Sequence, residues 1–218
     1  MCVRHVVFDW NQTLLDDTAA IVGAVNVCLE LEGLPPITAD DYKRDFVRPV
    51  HLYYERLFGR SIAEADWVRL DGVFRDAYWE LLSEPRLAAD AEVALARVAT
   101  AGRTQSICSM HPHEELVALV GQLGVDHHFL RIDGLRGTPG GGKSIHLEAH
   151  LGAVFDGAPR DAVVVIGDSL DDAAAAEHAG ARCVLYDGGS HPVEALEATG
   201  HPVVASLTAA LDIAGIPA

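Results

Sequence analysis

Residues 162–172 read Ala162-Val163-Val164-Val165-Ile166-Gly167-Asp168-Ser169-Leu170-Asp171-Asp172. Five apolar residues without a polar break suit a parallel strand buried on both faces, and the Gly-Asp pair ends it. Residues 171–179 then have helical composition, carried by the alanine run 173–176. The same strand-then-helix unit recurs along the chain. His5-Val6-Val7-Phe8 predicts a strand ending at Asp9, and residues 103–108 predict one ending near Ser109. Residues 182–186 and 202–205 supply two more, with helical patterns over 114–123 and 193–198 between strands. Such alternation implies right-handed βαβ units, hence an α/β fold: a three-layer, Rossmann-like parallel sheet core.

One region breaks the rhythm. Between residues 15 and 90 only helical periodicity is found, with Gly33-Leu34-Pro35-Pro36 as a turn. The expected organisation is therefore a core of residues 1–14 and 91–218 with an all-helical insertion, 15–90, over the carboxyl edge of the sheet. Trp67, Trp79, Tyr53, Tyr54 and Tyr78 are the expected core of that insertion.

The 218 residues carry 50% apolar and 22% charged side chains, enough apolar surface to offset chain entropy. Sixteen Lys and Arg against 32 Asp and Glu give a net charge of −16. A chain this acidic lacks the basic footprint of a nucleic-acid binder and is repelled by anionic membrane surfaces. Cys2, Cys28, Cys108 and Cys183 are scattered, without a C-x-x-C pair, so neither a zinc site nor a disulfide framework is expected. The start of the chain runs straight into the first strand, with no apolar signal core and no membrane-length apolar stretch. A cytoplasmic location is the expectation.

In open α/β sheets ligands bind beyond the carboxyl ends of the strands. Asp9, Ser109 and Asp168 stand at those ends, Asp172 follows one helical turn on, and Lys143 follows the Gly-rich loop 137–142. Clustered carboxylates repel one another unless a cation or a proton intervenes, and oxygen ligands of this kind suit Mg²⁺. These residues, in this order, resemble the motifs of the haloacid dehalogenase superfamily, in its phosphoglycolate phosphatase-like branch with a helical cap. Asp9-Trp10-Asn11-Gln12-Thr13 corresponds to that family's D-x-D-G-T, Ser109 to its Ser/Thr, Lys143 to its Lys, and Gly167 to Asp172 to its G-D-S-x-x-D. The resemblance implies a Mg²⁺-dependent hydrolase of a small phosphorylated metabolite. It would make Asp9 the nucleophile that forms an aspartyl-phosphate, and Asp9, the Asn11 carbonyl and Asp168 the metal ligands. Ser109, Met110 and Lys143 would hold the transferring oxygens. Thr13 and Asp172 would support them, Asp172 by orienting Lys143 or a bound water.

Two positions depart from the pattern. Asn11 stands where the family carries the Asp that protonates the leaving group, and a carboxamide cannot do this at neutral pH. Such help is typically worth 10²–10⁴-fold, so alkyl phosphates are expected to turn over slowly while aryl and acyl phosphates suffer less. Gln12 replaces a Gly, which stores strain if that position needs φ > 0.

Competing readings exist. Residues 137–144 satisfy the phosphate-cradling pattern G-x-x-x-x-G-K-S. Against a nucleotidase of that type, the preceding 130–135 has charges inside it and reads as a poor buried strand. A non-catalytic, metal-binding relative would also explain Asn11 and Gln12. His111-Pro112-His113 is read as the start of a helix and His127-His128 as a loop, not as metal sites. Residues 39–60 hold five basic side chains against four acids, and from there Arg48 and His51 are the candidates to reach an anionic substrate.

Overall fold

The computed structural model describes residues 2–137, 142–154 and 159–218. The chain divides into two compact units, one made of Met1–Asp16 and Arg86–Ala218, the other of Asp17–Pro85.

The first unit is built on a six-stranded parallel sheet. Its strands are β1 (His5–Phe8), β2 (Thr104–Pro112), β3 (Arg131–Leu135), β4 (Val163–Gly167), β5 (Arg182–Tyr186) and β6 (Val203–Val204), in the order β3-β2-β1-β4-β5-β6. The chain builds outward from β1 on one side and then returns to start β4 on the other. This reversal places a crevice at the carboxyl ends of β1 and β4, the point at which such sheets bind ligands. All four residues of β1 and all five of β4 are buried, as the unbroken valine runs require. Around the sheet lie α5 (Ala91–Thr100), α6 (His113–Gln122), α7 (Gly142–Val154), α8 (Leu170–Ala179), α9 (Val193–Glu197) and α10 (Leu207–Ala214). Ala173, Ala175, Ala176 and Ala179 of α8 pack with Leu147 and Leu151 of α7, so the alanine run is a close-packing surface as well as good helix.

The structure corrects three local expectations. Residues 131–135 do form a strand. The charges are tolerated because β3 is the sheet edge, pairing only with β2, and because the Asp133 carboxylate accepts from Arg131. The segment His111-Pro112 belongs to β2, which shifts register between Cys108 and Pro112, and Pro112 caps α6. The last strand is confined to Val203–Val204.

The second unit, the insertion between β1 and β2, holds α1 (Thr18–Leu31), α2 (Ala39–Asp45), α3 (Val50–Phe58) and α4 (Glu64–Leu81). An aromatic cluster of Tyr42, Phe46, Tyr53 and Tyr54 meets Val25, Cys28, Leu29 and Leu70 at its centre. Tyr78 is buried with its hydroxyl donating to Asp17 at 2.8 Å, whereas Trp67 and Trp79 are only half-buried. Among the described residues no helix is long and apolar enough to cross a membrane.

Candidate active site

Phe8 lies in register with Ile107 of β2 and Ile166 of β4, so Asp9 and Asp168 follow directly on their strands, and Ser109 lies in the last, register-shifted part of β2. After β1 the chain makes a tight turn in which the N–H groups of Thr13, Leu14 and Leu15 converge on the Trp10 carbonyl at 3.3, 3.0 and 2.9 Å. Gln12 takes φ +57° in this turn, the left-handed conformation that favours glycine. The turn aims Thr13 at the fourth strand, and its hydroxyl donates to Asp168 Oδ1 at 3.1 Å.

Lys143 arrives from the first turn of α7. Its ammonium lies 2.7 Å from Asp9 Oδ1 and 2.6 Å from Asp172 Oδ1, and its side chain is almost wholly buried. Lys143, Leu147, His150 and Leu151 are the buried residues of α7, following the three- and four-residue spacing of one helix face. Asp172 comes from the first turn of α8, where it forms a capping box with Ser169: Ser169 Oγ and N donate to Asp172 Oδ2 at 2.5 and 3.0 Å. A Cβ at Gly167 would lie 2.2 Å from Asp172 Cγ, so glycine is needed there for the carboxylate to fold back over the strand end.

Asp9, Asp168 and Asp172 are all buried, and one oxygen from each lies within 4.8 Å of the other two. Burial pushes the Asp9 carboxyl up to about 7; Lys143 pulls against this, while Asp172 and Asp168 add to it. Burial, together with Asp172, also raises Asp168 against the Ser190 hydrogen bonds. Burial would raise Asp172 as well, but Lys143 and Ser169 hold it below the ordinary carboxylate range. Lys143 stays firmly protonated, because Asp172 and Asp9 outweigh its desolvation. One ammonium facing three carboxylates leaves uncompensated negative charge in a buried place. This donor set fits a divalent cation.

The other predicted residues are arranged less tightly. Ser109 is buried, with its Oγ accepting from His111 N at 3.1 Å; Met110 is half-buried in the last part of β2, and Asn11 is half-buried in the turn after β1. Arg48 and His51 are exposed on the helical unit, Arg48 over the Phe46 ring at 5.6 Å and His51 edge-on to Trp67 at 6.2 Å. Residues 138–141 of the Gly-rich loop lie outside the described residues. Ser190 was not picked out from the sequence, yet it is buried and donates twice to Asp168. The place of its loop, after β5, at a strand's carboxyl end is the signal that points to it.

A phosphoglycolate phosphatase from Caulobacter vibrioides is 30% identical over 200 residues, covering 88% of this chain and 84% of that protein. The chain belongs to the haloacid dehalogenase-like hydrolase family. A family model described as HAD-hydrolase-like also matches residues 142–210. Among solved structures, a haloacid dehalogenase-like hydrolase from Streptococcus pneumoniae superposes with a TM-score of 0.82 at 15% identity, covering 97% of this chain and 98% of that one. Protein tyrosine kinase A of Mycobacterium tuberculosis superposes with a TM-score of 0.80 at 21% identity, covering 99% of both chains. Those two likenesses show the fold alone, and proteins with such different names on one fold show why the reaction must be argued from the site. Family membership makes the chain a phosphatase-like hydrolase of the phosphoglycolate phosphatase-like branch, with the helical region between β1 and β2. It also displaces the nucleotidase reading. Residues 131–135 do form a strand before the Gly-rich loop, but Lys143 is held by Asp9 and Asp172.

Proposed function

We propose that this chain is a Mg²⁺-dependent phosphatase of small phosphomonoesters that works through an aspartyl-phosphate on Asp9. The observation that carries the proposal is the Lys143 ammonium seated between Asp9 and Asp172 inside a buried group of three carboxylates. Asp9, Asp168 and the Asn11 backbone carbonyl would hold the metal. When bound, Mg²⁺ neutralises the charge that otherwise keeps an anionic nucleophile from an anionic phosphoryl group.

Asp9 attacks phosphorus, its oxygen forms the new P–O bond, and the ester oxygen leaves with the electron pair of the broken bond. Lys143, Ser109 and the Met110 backbone stabilise the transferring oxygens. Asp172 keeps Lys143 pointed at them through its 2.6 Å ion pair. Asn11 cannot protonate the leaving oxygen, so leaving groups that depart as stable anions are favoured. The substrate is a small phosphorylated metabolite, and Arg48 and His51 on the helical unit are the residues assigned to its selection. Free thiols at Cys2, Cys28, Cys108 and Cys183 fit a reducing, cytoplasmic setting.

The test is a screen of alkyl, aryl and acyl phosphates with and without Mg²⁺. Hydrolysis of aryl and acyl phosphates that needs Mg²⁺ is expected. Bound Mg²⁺ with no turnover of any phosphate class would instead favour a non-catalytic relative, the reading that Asn11 and the strained Gln12 otherwise support.

A further inference from the structure

Asp168 is held from two directions, by the loop after β5 and by the turn after β1. Ser190 N and Ser190 Oγ donate to its Oδ2 at 2.7 and 2.6 Å, and Thr13 donates to its Oδ1. Two donors fill the lone pairs of Oδ2, whereas Oδ1, with one donor among the described residues, keeps a lone pair for a cation. Ser190 has a single hydroxyl proton, and Asp168 receives it. The 2.9 Å contact between Ser190 Oγ and His191 Nδ1 is therefore made by His191 donating and Ser190 accepting. The result is a directed chain, His191 Nδ1–H to Ser190 Oγ–H to Asp168 Oδ2, with Ser190 and His191 both buried. The backbone is pressed against the same carboxylate, since a Cβ at Gly189 would lie 2.1 Å from Asp168 Cβ. None of this is needed to close the sheet, because β5 has already ended at Tyr186.

We propose that Ser190 and His191 are positioning residues for divalent-metal binding. They fix the rotamer of Asp168 and direct its Oδ1 into the cluster through the donor chain from the β5–α9 loop. This rests on the metal reading proposed above. Partners behind a metal ligand typically contribute 10–100-fold to metal affinity by orienting it.

The experiment measures Mg²⁺ binding to the full chain by titration calorimetry, with melting temperature in chelator as a control for folding. Ser190→Ala is expected to raise the Mg²⁺ dissociation constant about tenfold. His191→Ala should raise it by a smaller factor of about three, and His191→Asn, which keeps a donor where Nδ1 was, should bind nearly as the unaltered chain does. Equal Mg²⁺ affinity in Ser190→Ala, even with a lowered melting temperature, overturns the inference and leaves Ser190 a structural residue. If Ser190→Ala does not fold, the His191 pair decides, and equal affinity in His191→Ala overturns the inference. Failure of the unaltered chain to bind Mg²⁺ overturns the metal reading itself, a distinct result.

Discussion

A second buried polar chain, at the amino-terminal end of the sheet, yields a quantitative prediction. His5 Nδ1 lies 2.7 Å from Thr104 Oγ1, His5 Nε2 lies 2.7 Å from Ser106 Oγ, Ser106 Oγ lies 2.7 Å from His150 Nε2, and His150 Nδ1 lies 2.8 Å from Asp133 Oδ2. Ionised Asp133 can only accept, so His150 donates to it and accepts from Ser106; Ser106 accepts from His5, and His5 accepts from Thr104. Every link is satisfied with both imidazoles neutral. Burial, then the neighbouring His150, pushes His5 down from 6.5 to about 4. A histidine depressed in the folded state lends stability that is complete above its unfolded value and lost as pH falls toward the folded one. At about pH 5 an unfolded His5 is roughly 30:1 protonated while the folded one is still mostly neutral, a loss of about 2 kcal/mol relative to about pH 7.5.

Asp9 works in the opposite sense, because a carboxyl raised to about 7 stabilises the fold as pH falls below that value. The total pH profile therefore hides the His5 effect, and a difference must be measured. Urea unfolding of the unaltered chain and of His5→Gln, each at about pH 7.5 and about pH 5, should show their stability difference shrinking by about 2 kcal/mol on acidification. A difference constant to within about 0.5 kcal/mol would refute the neutral-imidazole assignment. The consequence reaches the site, because His150 and Lys143 are both buried residues of α7.

Three further outcomes are expected. Asn11→Asp should raise turnover of alkyl phosphates at least tenfold, and of aryl phosphates less, in steady-state assays; equal gains on both would remove the leaving-group argument. Lys143→Met strips the cation from two buried carboxylates and should cost about 3–5 kcal/mol in metal-free denaturation, with Mg²⁺ restoring part of it; a loss under about 1 kcal/mol would contradict the ion-pair assignment. Arg48→Ala should raise KM far more for dianionic substrates than for a neutral-bodied aryl phosphate, and an equal effect on both would remove Arg48 from substrate selection.

The parallel core was legible because strands buried on both faces are mostly apolar along their length, as 163–166 and 6–8 are. The edge strand β3 was missed for the converse reason: an edge tolerates Arg131 and Asp133, and in sequence these look like a loop. Asp9 and Asp168 could be read because charge at a strand end has few structural uses, and Lys143 and Asp172, which lie in the first turns of helices, through the motifs that tie them to those two. For Ser190 the place after β5 marks only the loop, since the residue's part depends on a backbone N–H and on that loop folding back 22 residues along the chain, and neither leaves a pattern in composition. The αL conformation of Gln12 was legible only conditionally, and the structure supplies the positive φ.

The central claim is a covalent phosphoryl group on Asp9. Rapid acid quench after mixing the protein with an aryl phosphate and Mg²⁺, followed by peptide mass spectrometry, tests it directly. The account predicts one phosphoryl group located on Asp9, absent without Mg²⁺ and absent in Asp9→Asn. Turnover that persists in Asp9→Asn, or that proceeds with no phosphorylated Asp9 at any quench time, would contradict it.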